Sequence, residues 1–94
     1  MTPDERRVDR EARVARTLRL FREACERHGF FITGDQRIRL PDAAQLLGLS
    51  PKGLARLREE RKGPPSYARG VRGAPVTFRL DDLAAWVESQ REQD

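Results

Sequence analysis

One cysteine, Cys25, and one histidine, His28, in 94 residues exclude an intrachain disulfide and any zinc site rich in Cys and His, and so thin a use of cysteine fits a reducing compartment. Aromatic residues make up only 6% of the chain, so the core must be small and built mainly from aliphatic side chains. No apolar run approaches the roughly 18 residues that a membrane span requires. The charged stretch from Met1 to Arg16 has no apolar centre of the kind a secretory signal carries. A cytoplasmic protein that does not engage membranes is expected. Glycine-rich phosphate loops, spaced carboxylate pairs and nucleophile motifs are missing too, and adjacent Asp81 and Asp82 read as the start of a helix rather than an acid/base pair. Neither catalysis nor a metal or cofactor is expected.

What the chain has in abundance is charge, at 36% of residues with a net +4. The excess is concentrated. Between Arg37 and Arg79 there are ten cations (Arg37, Arg39, Lys52, Arg56, Arg58, Arg61, Lys62, Arg69, Arg72, Arg79) against three anions (Asp42, Glu59, Glu60), a local excess of seven. Clustered Arg and Lys attract phosphate whatever base sequence lies beneath it, so an anionic partner is expected.

Between Pro3 and Gly29 no other helix breaker occurs, which predicts one long helix with a glycine stop. Val14, Leu18, Phe21, Cys25 and His28 recur at spacings of four, three, four and three and line one apolar stripe. The stripe needs a cover, either the rest of the domain or the same helix of a second copy. Phe30 to Ile32 and Arg37 to Leu40 read as a small hairpin around Gly34-Asp35. A short helix is expected over Asp42 to Leu47, closed by Gly48. Ser50 as cap and Pro51 at the first position begin another, running to about Lys62 before Gly63-Pro64-Pro65. Tyr67 to Arg69 and Pro75 to Phe78 can pair around the tip residues Gly70 to Ala74 as a basic β-wing. A final helix starts near Asp81 and Asp82, carries Leu83, Trp86 and Val87 on one side, and frays from Glu88 onward. In these positions Trp86 and Phe78 are core residues, Cys25 is a buried and inert thiol, and His28 is a helix C-terminal or packing residue. The expected class is mainly α with a small β-wing: a winged helix-turn-helix over 37–94, preceded by a long amphipathic helix and connecting turn over 1–36.

Two short helices joined by Gly48-Leu49-Ser50 have the form of a helix-turn-helix, whose first helix braces a second that enters a DNA major groove. The order of what surrounds that turn is more specific: Leu40, Ala43-Ala44, Leu46-Leu47-Gly48-Leu49-Ser50-Pro51, Leu54, Leu57, Gly63-Pro64-Pro65, Phe78, Asp82-Leu83, Trp86-Val87. From Arg37 to Val87 the chain resembles the excisionase, or recombination directionality factor, AlpA-like family of the MerR-like winged-helix superfamily. That resemblance implies a bacterial or phage-encoded, nucleoid-associated protein that binds double-stranded DNA. It implies copies bound cooperatively at adjacent sites near an attachment site, promoting excision by an integrase. AlpA-type promoter regulators and the DNA-binding part of some terminase small subunits share the pattern, and these are the alternative roles.

With Leu54 and Leu57 turned inward, Lys52, Gly53 and Arg56 lie on the open side of the second helix. Lys52 and Arg56 can there donate to guanine O6 and N7. Gly53 departs from the Thr or Ser common at that place in the family. Arg69 and Arg72 belong to the wing, which the resemblance directs to a neighbouring minor groove or its phosphates. Arg58, Arg61, Lys62, Arg79 and the exposed Gln45 are expected at the DNA backbone, where contacts position without reading sequence. Any one of these cations has an ordinary surface role as its alternative: Arg56, for instance, is spaced to pair with Glu59 or Glu60.

Overall fold

Thr2 and Glu5 close the start of the first helix reciprocally. The Thr2 Oγ1 accepts the Glu5 N–H at 3.2 Å, and a Glu5 carboxylate oxygen accepts the Thr2 N–H at 3.4 Å. From there α1 runs over Pro3–His28 and ends in the left-handed Gly29, where the Phe30 N–H returns to the Cys25 carbonyl at 3.0 Å. The remaining elements of this computed structural model are β1 (Arg37–Arg39), α2 (Leu40–Leu47), α3 (Pro51–Glu59), β2 (Thr77–Arg79) and α4 (Leu80–Glu92), and the structure describes residues 2–68 and 73–92. The architecture is mainly helical, with a two-stranded antiparallel sheet following a long N-terminal helix. No helix among the described residues is long and apolar enough to cross a membrane.

The hairpin expected between Phe30–Ile32 and Arg37–Leu40 does not form. Residues 33–37 make a tight turn, with the Thr33 N–H bonded to the Arg37 carbonyl at 2.9 Å, but Phe30 and Ile32 pack against the core without a strand. β1 pairs instead with β2, in the register Arg37 with Arg79, Ile38 with Phe78 and Arg39 with Thr77. A two-residue period identifies a strand but not its partner. On the other edge of β2, Tyr67 and Thr77 exchange both backbone hydrogen bonds at 2.8 Å, so the expected wing pairing is present at its stem. Ile38 and Phe78 point from the sheet into a core shared with Cys25, Ala43, Ala44, Leu54, Leu80 and Leu83.

α1 lies against α4, and the apolar stripe on α1 is covered within its own chain: Cys25 is buried, and Leu18 and Phe21 pack on the core. His28 does not join that stripe. It is exposed and stacks on Phe30 with ring centroids 5.0 Å apart. Burial first and Asp42 second push the Cys25 thiol pKa upward, which keeps it protonated and unreactive.

The fraying expected from Glu88 is likewise absent: α4 continues to Glu92, and Glu88 is 6% exposed. Its carboxylate accepts a hydrogen bond from Thr17 Oγ1 at 2.9 Å and faces Arg13 Nε at 3.3 Å, while Arg13 also contacts Asp9. A buried carboxylate needs such partners, and here they fasten α4 to α1 three turns away from the apolar contact at Cys25.

Candidate nucleic-acid interface

The turn between α2 and α3 is held by local chemistry. Gly48 takes φ 72°, and the Leu49 N–H reaches back to the Ala44 carbonyl at 2.9 Å, closing α2. Ser50 then caps α3, its Oγ accepting the Gly53 N–H at 3.0 Å, and Pro51 occupies the first helical position. Leu54, fully buried, anchors α3 to the core, and Leu57 is half-buried beside Gly63. At about 100° per residue, Lys52, Arg56 and Glu59 fall on the face opposite Leu54. Lys52 and Arg56 are exposed, and neither has an ion pair among the described residues. Arg56 therefore does not take up the available pairing with Glu59 or Glu60.

Gly53 sits beside this face but is not open space. A Cβ there would lie 3.1 Å from the capping Ser50 Oγ, which is tight enough to press on the cap. The missing side chain thus leaves room for the hydrogen bond that starts the helix.

The other expected backbone contacts are dispersed. Arg58 lies on the flank of α3, on the side of Leu54, and its Nε donates to Ser66 Oγ at 2.9 Å. That bond ties the helix to the segment leading into the wing. Helix α3 ends at Glu59 rather than near Lys62, so Arg61 and Lys62 belong to the following turn. Lys62 Nζ is 3.9 Å from Glu60, and the Lys62 carbonyl accepts a hydrogen bond from the Trp86 indole N–H at 3.3 Å. Gly63 permits this turn to close, since a Cβ on it would stand 3.2 Å from the Leu57 Cβ. Arg79, on β2, lies 3.4 Å from Asp81. Gln45 is exposed on α2. Arg69 and Arg72 lie outside the described residues.

Arg61 holds a left-handed backbone, φ 58°, at the position where helices usually place glycine, and the Lys62 N–H bonds to the Leu57 carbonyl at 2.9 Å around it. A residue with a Cβ pays roughly 1 kcal/mol there. Arg61→Gly is expected to stabilise the domain by up to about 1 kcal/mol in urea denaturation, while weakening DNA binding about equally on all sequences.

Three contacts of this region lay beyond sequence reasoning. Ser66 orients Arg58, Trp86 holds the turn after α3, and Tyr67 Oη donates to Asp82 at 2.8 Å, fastening the wing stem to α4. The Asp82 carboxylate raises the Tyr67 pKa, so the phenol remains a donor. Each joins residues eight or more positions apart, a separation at which spacing carries no signal. Arg39, one of the clustered cations, is exposed at the N-cap of α2, without an ion pair among the described residues. Those residues include no group of three or more His, Cys, Asp or Glu side chains placed to hold a metal.

A capped second helix packed on a first across a glycine turn, with a short sheet and a closing helix, defines a helix-turn-helix protein. The chain belongs to the family described as helix-turn-helix domain, whose model matches residues 38–91. Searches of curated proteins and of solved structures found no match.

Proposed function

We propose that this protein binds double-stranded DNA, placing α3 in a major groove with Lys52 and Arg56 at base edges, Gly53 beside them, and the wing arginines Arg69 and Arg72 at the adjacent minor groove or its phosphates. Gln45, Arg58, Arg61, Lys62 and Arg79 take the backbone. The observation that carries this reading is the outward face of α3, where two long cations stand exposed, without an ion pair among the described residues, beside a fixed helix start. Arg and Lys in that position match the acceptors of guanine.

Within that reading the protein acts as an excisionase, a recombination directionality factor. Copies occupy adjacent sites near an attachment site and favour excision by an integrase. What supports this is the order of residues from Leu40 to Val87, together with the small size of the module. One recognition helix and one wing cover roughly 600–1,000 Å² of protein surface on DNA, so useful affinity calls for several copies. The action is by binding, with no catalytic step.

The test is a titration of the purified protein into a labelled duplex from upstream of its own gene, beside a random duplex of equal length, at two salt concentrations. A ladder of shifted species on the first duplex is expected. About five phosphate contacts would give log K falling against log salt with a slope near −4.5. A flat salt response would refute DNA binding. A single shifted species with no ladder would refute cooperative assembly and favour a solitary promoter regulator.

A further inference from the structure

We infer that α1 pairs with α1 of a second copy of this chain, antiparallel, through the face turned away from α4. Glu5, Val8, Ala12, Ala15 and Arg19 recur at spacings of three, four, three and four, which is the repeat of a two-helix seam. All five are exposed, Val8 at 60%, in contrast to the stripe of Leu18, Phe21 and Cys25 that is covered within the chain. On the N-terminal half of this face Val8 and Ala12 are the apolar side chains, with Asp4, Glu5 and Asp9 around them. Residues 2–12, which include the first turns of α1, are all exposed.

Charge selects the occupant. Acids flank the seam at its start, whereas Arg16 and Arg19 follow it, both exposed and without an ion pair among the described residues. Glu5 and Arg19 each stand seven residues from Ala12. An antiparallel pair crossing at Ala12 therefore sets Glu5 of each copy against Arg19 of the other, with small side chains at the crossing, where the backbones come closest. A parallel pair would oppose like charges instead. Such a contact is isologous, the commonest form of self-association. Its apolar part is one valine and two alanines per copy, little beside the roughly 800 Å² per partner of a stable complex, so association in free solution is weak. Neighbouring DNA sites would raise the effective concentration to about millimolar and make the contact count. That use rests on the proposed DNA binding; the pairing itself does not.

The experiment is sedimentation equilibrium of the full chain without DNA, so its outcome is independent of the DNA titration. The wild type is expected to show a salt-sensitive monomer–dimer equilibrium. Glu5→Arg and Arg19→Glu, each alone, oppose like charges twice per dimer and are expected to weaken it about tenfold. An equimolar mixture of the two single variants restores both pairs and should return to the wild-type constant, an outcome that loss of the Glu5 cap cannot produce. As a second measurement, Ala12→Cys should oxidise to a covalent dimer, whereas Leu20→Cys, off the seam, should not. A wild type that stays monomeric even at about 1 mM, the effective concentration on neighbouring DNA sites, a dimer indifferent to both reversals, or a mixture no tighter than its components would each overturn the pairing.

Discussion

Phe78→Ala is expected to lose about 3–5 kcal/mol of folding stability, the largest effect of any single truncation in this chain. Phe78 is the bulkiest fully buried side chain, at 0% exposure, and it stands opposite Ile38 in the strand pair. β2 is bonded on both edges, to β1 and to Tyr67, so its side chains locate the sheet, the wing stem and the start of α4 together. Among the described residues its companions at under 2% exposure are Ile38, Leu54, Leu80, Leu83 and Cys25, so the truncation falls in a small core. Against a total of roughly 5–15 kcal/mol for a domain, such a loss brings the protein near its unfolding threshold. Urea denaturation followed by circular dichroism measures it. Phe31→Ala provides the contrast: Phe31 is 72% exposed, and its removal should change stability by no more than about 0.5 kcal/mol. Similar costs for the two would mean that the core is not organised around β2.

The second large effect is on recognition. Arg56→Ala is expected to reduce binding to the preferred duplex by about 1–3 kcal/mol, roughly 5- to 150-fold, with a much smaller change on random DNA. Leu54 and Ser50, which fix the helix, are untouched by that substitution, so the thermal midpoint should hardly move. Arg58→Ala should behave otherwise. Its side chain leaves the helix on the Leu54 side and is bonded to Ser66, so its loss should weaken all sequences about equally. Fluorescence anisotropy on preferred and random duplexes separates the two patterns. If Arg58→Ala cost as much discrimination as Arg56→Ala, the outward face of α3 would not be the reading surface.

The long helix, the turn and the start of α3 were legible in the chain because their signals are local: Gly29 and Gly48 supply left-handed stops, and Ser50-Pro51 supplies a cap and a preset first turn. The outward position of Lys52 and Arg56 followed from the spacing of Leu54 and Leu57 alone. Local signals failed where a competing long-range contact took over. Phe30 to Ile32 had the composition of a strand, but β1 found its partner some forty residues later, and the core took Phe30 and Ile32 as packing residues. Glu88 looked like the start of a fraying end until Arg13 and Thr17 met it across the helix pair. Arg61 looked helical, yet Gly63 packing on Leu57 and the Trp86 bond to the Lys62 carbonyl turn the chain away from α3 before that point. The sequence by itself determined where α1 and α2 stop, where α3 begins and which side of α3 is apolar, because caps and periodicity act within a turn or two of the chain. Only the tertiary structure decided which strand pairs with which, which charges are spent on holding α1 to α4, and which cations stay unpaired, because those outcomes depend on groups that meet only when the core closes.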